Sequence, residues 1–159
     1  MASIRRQILE ALKARVIQIT KNNGYLTDAG KLVLLGEHPD ITPEDLEVAI
    51  AFVIGSDDFD QELYIGDGGP ADVLSIRLPV GIAAIARADL DNPLLALEDV
   101  LHDIKKAVEV DDRTLGGLVA DILRGPTVAH DREEGSDIVG VSVTYYLLYS
   151  ETWGSPDQG

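Results

Sequence analysis

Cysteine is absent from the 159-residue chain, methionine and tryptophan occur once each, and histidine three times. Without cysteine there are no disulfides and no thiolate metal sites, which fits assembly in a reducing cytoplasm. His38, His102 and His130 lie far apart and show no HxxxH or HExxH spacing, so an imidazole zinc site has no support either. Basic residues are scarce: 13 Lys and Arg face 28 Asp and Glu, for a net charge of −15. Nucleic acid and anionic lipid both require a basic surface, so neither is expected as a tightly held partner. No apolar run approaches the ~18 residues of a membrane span, and the stretch MASIRRQILE has no signal-peptide core. Linkers, low-complexity tracts and repeats are also missing. The chain therefore reads as one domain over residues 1–153, with a frayed tail at 154–159.

What is present is periodicity. From Ile138 to Tyr149, Val139, Val141, Val143, Tyr145, Leu147 and Tyr149 alternate with Ile138, Gly140, Ser142, Thr144, Tyr146 and Leu148. Successive strand side chains point to opposite faces, so the first set makes an apolar stripe and the second a mixed face. Ser3 caps a helix with Ile4, Ile8, Leu12, Val16 and Ile19 on one side, which Asn22-Asn23-Gly24 is expected to stop. Asn92-Pro93 opens a second helix, with Leu94, Leu97, Leu101, Ile104 and Val108 as its stripe. Strands are expected near 47–54, 73–87, 118–130 and 138–149, the last two as an antiparallel hairpin. A short strand is read at 31–36, a single turn at 43–46, and an acidic loop or loosely paired hairpin tip from Ser56 to Asp72. Pro79 and Gly81 suggest a bulge or bend near a sheet edge, and Gly125-Pro126 an interruption. The class is α+β: a mostly antiparallel four-stranded sheet with two amphipathic helices packed on one face.

Chemistry-bearing motifs fail on inspection. Asp58, Asp60 and Glu62 alternate like calcium ligands, but an EF-hand would need Gly where Leu63 stands and Glu where Gly69 stands. Gly66, Gly68 and Ala71 match a dinucleotide string, yet a strand follows them where the pyrophosphate needs a helix N-terminus. Ser142 sits mid-strand, away from any strand-to-helix elbow. His102 and Asp103 read as a solvated pair on the polar side of the second helix. No cofactor, metal or catalytic residue is expected. Charge, by contrast, is unevenly spread: residues 1–21 hold five cations against Glu10, a local +4 that leaves −19 for the rest. Arg5 and Arg6 oppose the dipole of their own helix, which suggests partners elsewhere.

A basic first helix (SIRRQILEALKARV) precedes a strand (VAIAFVIG) and an acidic loop. A long strand (LSIRLPVGIAAIAR) then runs into a capped helix (NPLLALEDVLHDIKKAVE), followed by LGG, a strand and GVSVTYYLLYSE. This order of parts resembles the tail terminator proteins of long-tailed bacteriophages, also called tail completion or minor tail U-like proteins. The likeness spans nearly the whole chain and lies in element order and short strings, residues 22–46 matching least. It implies a non-enzymatic virion protein, assembled in the host cytoplasm, that caps the tail tube as a homo-hexameric ring. Its partners would be the tail tube protein and a head-side neck connector, with DNA only in transit through the lumen. Beside that resemblance, residue chemistry offers a register for the ring. Arg5, Arg6, Lys13 and Arg15 are expected to meet an acidic segment of a neighbouring copy, either Asp57 to Glu62 or Asp111 and Asp112. The loop of Asp57, Asp58, Asp60 and Glu62 is expected to line the lumen. The competing readings are another neck or head-completion protein, and an acidic metal-binding module or enzyme.

Overall fold

The computed structural model describes residues 2–36, 48–60, 73–131 and 134–158, with backbone alone at 59 and 60. In chain order these form α1 (Ile4–Val16), β1 (Val33–Leu35), β2 (Val48–Ile54), β3 (Asp58–Asp60), β4 (Val73–Arg87), α2 (Pro93–Val108), β5 (Asp121–His130) and β6 (Ile138–Thr152). The strands join one sheet in the order β1-β2-β4-β6-β5, with β3 beside β4. The four long strands pair antiparallel with one another, as expected. Two short strands enlarge the four-stranded expectation. β1 pairs parallel to β2, which makes the sheet mixed. β3 lies inside the segment read as a loop or a loosely paired hairpin tip, and pairs antiparallel with Ser75, Ile76 and Arg77. The turn expected at 43–46 and the loop from 61 to 72 lie outside the described residues.

One face of the sheet is the core. Every member of the β6 stripe from Val139 to Tyr149 is buried, and so are Ile76, Leu78, Val80, Ile82, Ala84 and Ala86 opposite them on β4. α1 contributes Ile4, Ile8, Leu12 and Val16, and α2 contributes Leu97, Leu101, Ile104 and Val108 to the same cluster. Each such side chain adds roughly 1.5–3 kcal/mol by leaving water. The helices thus cover a single face, with α2 packed more closely than α1 on β4 and β6.

Four local expectations are corrected. β4 is central and unbulged through Pro79 and Gly81, pairing without a break from Val73 to Arg87. Pro79 is tolerated because its carbonyl accepts from Gly55 N at 3.0 Å, which places its missing N–H on the same side. That side is the gap between β2, ending opposite Val80, and β3, starting opposite Arg77. α1 stops at Val16, well short of Asn22. Gly30 packs so tightly on the last turn that a Cβ there would lie 2.7 Å from Val16 O and 2.6 Å from Ile17 O. Its amide donates to Ile19 O at 2.8 Å, and Ile19 turns into the core beyond the helix. The strand expected from 118 begins at Asp121, because residues 113–118 form the turn that positions it. The tail at 154–158 is hydrogen-bonded rather than frayed: Thr152 N donates to Gln158 O, and Ile4 N to Pro156 O, both at 2.8 Å. That last bond satisfies one of the open N–H groups at the start of α1.

Candidate interaction surface

The basic residues of α1 find most of their partners inside the chain. Arg5 reaches Asp57 at 3.3 Å, so two residues expected to pair between copies are joined within one chain. Arg6 pairs with Glu10 one turn along, at 2.9 Å on the exposed side, where such a pair contributes little. Arg15 donates to Val108 O at 3.1 Å and to Asp112 O at 2.7 Å, closing the carbonyl end of α2 with a cation. Asp112 lies 3.3 Å from Arg15 and also accepts from Thr114 Oγ1, Thr114 N and Gly116 N. Those hydrogen bonds, Thr114 foremost, hold its carboxyl down at about 2. Lys13 and Asp111 make no ion pair among the described residues. Asp58 is exposed on β3, while the side chain of Asp60 and all of Glu62 lie outside the described residues.

Asp103 is not on the polar side of α2. Its side chain is fully buried and accepts from Leu26 N at 3.1 Å, Thr27 N at 2.7 Å and Thr27 Oγ1 at 2.8 Å. Only His102, 3.2 Å away, is exposed. A buried carboxylate is tolerable where hydrogen bonds replace its lost water, and here it pins the 25–28 segment onto α2. The sequence signal was its spacing: Asp103 follows Val100 by three and precedes Ala107 by four, so it shares their buried stripe.

The second sheet face carries no described element. Its members on β6 are Ile138 to Leu148 at even positions, all half-buried, and they lie level with Arg77 to Arg87 at odd positions of β4. Large apolar side chains stand open on it, among them Val53 at 48% and Val128 at 50% exposure, with Ile85 and Leu123. Between them the surface is low: Ala51, Ala83 and Ser142 lie side by side across β2, β4 and β6. Arg77 stacks on Tyr146 with its guanidinium 4.1 Å from the ring centre. No Asp or Glu occurs in β2, in β4, in β6 from Ile138 to Leu148, or in β5 after Asp121. In a chain with 28 carboxylates, the middle of this face holds none among the described residues, while Asp58 of β3, level with Arg77, and Asp121 of β5, level with Leu148, stand at one end of it.

No described cleft gathers an acid, a base and a nucleophile. A groove of about 480 Å³ between α1, the 117–120 segment and β6 is lined by Ile4, Gln7, Leu118, Tyr149 and Asp157. The buried Tyr149 hydroxyl has no hydrogen-bond partner, and burial pushes it up to about 12. At the other end of α2, a smaller hollow holds Glu109, Arg113, Arg124 and Tyr145, already paired by Tyr145 Oη to Glu109 at 3.0 Å and Arg113 to Asp121 at 2.6 Å. Among the described residues, no group of His, Asp or Glu is placed to hold a metal ion, and no helix is long and apolar enough to cross a membrane. Against known proteins, no family model matches the chain and no curated protein resembles it in sequence.

Proposed function

We propose that the chain is a structural virion protein, the terminator of a long-tailed phage tail. Copies close into a six-membered ring on the last ring of tail tube protein, end tube polymerisation and offer the neck connector its tail-side surface. One observation carries this reading: no described element covers the second sheet face, whose middle is apolar and without described carboxylates, on a chain of net charge −15. Such a face serves contact between macromolecules better than it serves catalysis. The acidic segment that begins at Asp57 and Asp58 lines the lumen, where carboxylates repel passing phosphates and keep DNA in transit from adhering. Virion assembly takes place in the host cytoplasm.

The test adds purified protein to tube protein of the same phage during polymerisation, followed by negative-stain imaging. Shortened tubes bearing a six-fold ring at one end are the expected result. Unchanged tube length with bare ends overturns the proposal. Rings on the head-side connector alone would instead assign the chain to a neck or head-completion role.

A further inference from the structure

Three leucines at the start of α2 serve no purpose in the chain's own core. Leu94 and Leu95 are 66% and 63% exposed, and Leu90 just before the helix is 59% exposed. The spacing assigns Leu94 to the buried stripe, but that stripe starts at Leu97. Around the leucines stand Asp89, Asp91, Glu98 and Asp99, all exposed, and no Lys or Arg occurs from Ala88 to Ile104. This corner of the molecule is therefore an acidic apolar knob.

The sheet face that no described element covers is its complement. It is apolar, low in the middle where Ala51, Ala83 and Ser142 lie level, and free of carboxylates over that middle, with Asp58, Arg77 and Asp121 in the row at one end and His130 towards the other. Elsewhere the surface of an acidic chain repels its own copies. A neighbour's acidic knob meets no described carboxylate at the middle of this face, with Arg77 and His130 nearer its two ends. We propose that the Leu90, Leu94 and Leu95 knob of one copy docks on this sheet face of the next. The occupant is a second copy of this chain, and the contact is heterologous, with two different patches used once each by every subunit. Contacts of that kind propagate from copy to copy and close into a ring when the rotation allows. The inference rests on the ring reading above only for the number of copies; the pairing of knob and face stands on the charge and apolar match.

The test uses two variants of the full chain and sedimentation velocity over rising concentration. The knob variant carries Leu94→Glu and Leu95→Glu, at positions too exposed to disturb folding. The face variant carries Ile85→Glu and Val128→Glu, or Val128→Glu alone should the pair fail to fold by circular dichroism. Wild type is expected to self-associate, and each variant alone to do so about a hundredfold more weakly, as forfeiting two buried apolar side chains implies. An equimolar mixture is expected to form a one-to-one dimer and nothing larger, because the mixture holds one intact knob and one intact face that fit each other. Three results overturn the inference: a wild type that stays monomeric throughout, a knob variant that associates as wild type does, or a mixture that stays monomeric. Association that follows this pattern while tail tubes remain uncapped would sink the terminator reading and leave the knob-and-face contact standing.

Discussion

Replacing Asp103 with alanine tests whether one buried carboxylate holds the 25–28 segment to α2. The side chain accepts three hydrogen bonds, at 2.7, 2.8 and 3.1 Å. Bonds to a charged acceptor contribute roughly 1.5–3 kcal/mol each, so the gross loss is about 4–9 kcal/mol. Two effects oppose it. Removing the charge also removes its desolvation penalty, itself several kcal/mol. Leu26 is exposed and Thr27 half-buried, so water reaches the stranded donors at modest cost. The difference leaves a destabilisation of about 2–4 kcal/mol, or a fall in Tm of about 5–15 °C for a chain of this size.

Asp103→Leu separates hydrogen bonding from packing, because it restores volume and still strands the same donors. Its loss should match that of Asp103→Ala. Asp103→Asn keeps one acceptor oxygen but points amide hydrogens at other donors, and should fall about halfway. Urea and thermal unfolding give the magnitudes, and amide hydrogen exchange at Leu26 and Thr27 reports whether protection is lost there first. An Asp103→Leu protein as stable as wild type, with unchanged exchange at both amides, would refute the reasoning.

Gly30→Ala should lower stability by about 1–3 kcal/mol in the same unfolding assays, since its Cβ meets backbone oxygens at 2.6 and 2.7 Å that cannot swing aside. Asp112 is depressed in the folded chain to about 2, so its contribution is complete above the ordinary carboxylate range and is lost as pH falls through about 2. Asp112→Asn should therefore flatten the decline of Tm between about pH 4 and pH 2; a decline as steep as wild type would show that other carboxylates govern it. Tyr145→Phe removes the bond to Glu109 and should cost about 1 kcal/mol. Burial and Glu109 both raise the Tyr145 hydroxyl, so in an alkaline absorbance titration of wild type it should ionise only as the chain unfolds.

Strand and helix faces were legible wherever one rule governed each position. The alternation from Ile138 to Leu148 matches the burial of β6 residue for residue, because a strand with one covered face has no other way to sort its side chains. Legibility failed where distant segments decide the outcome. α1 ends at Val16 because Gly30, fourteen residues later, lies on its last carbonyls, and no local cap marks that stop. Pro79 sits mid-sheet only because β2 ends and β3 begins on its N–H side, a gap no periodicity announces. Asp103 looked solvated beside His102, since a pair of polar neighbours outweighed a helical spacing that placed it with Val100 and Ala107. The partners of Arg5 and Arg15 are 52 and 97 residues away, beyond any local pattern.

Those two arginines change what holds copies together. An isolated basic helix would offer itself to an acidic neighbour. Here Arg5 and Arg15 are already tied to Asp57 and Asp112, which locks α1 to both ends of the molecule and leaves the exterior with a large surplus of negative charge. Two such bodies repel at most orientations, and the repulsion is relieved only where one of them presents a surface without carboxylates. The middle of the sheet's second face is such a surface, where β2, β4 and β6 from Ile138 to Leu148 carry no acid. Electrostatics then restricts where the copies touch, and apolar burial supplies the affinity. Raising salt should accordingly strengthen association between copies by screening their repulsion. If charge pairs between α1 and a neighbour's acidic loops supplied the affinity instead, salt would weaken it, so the sign of the salt dependence in sedimentation decides between the two.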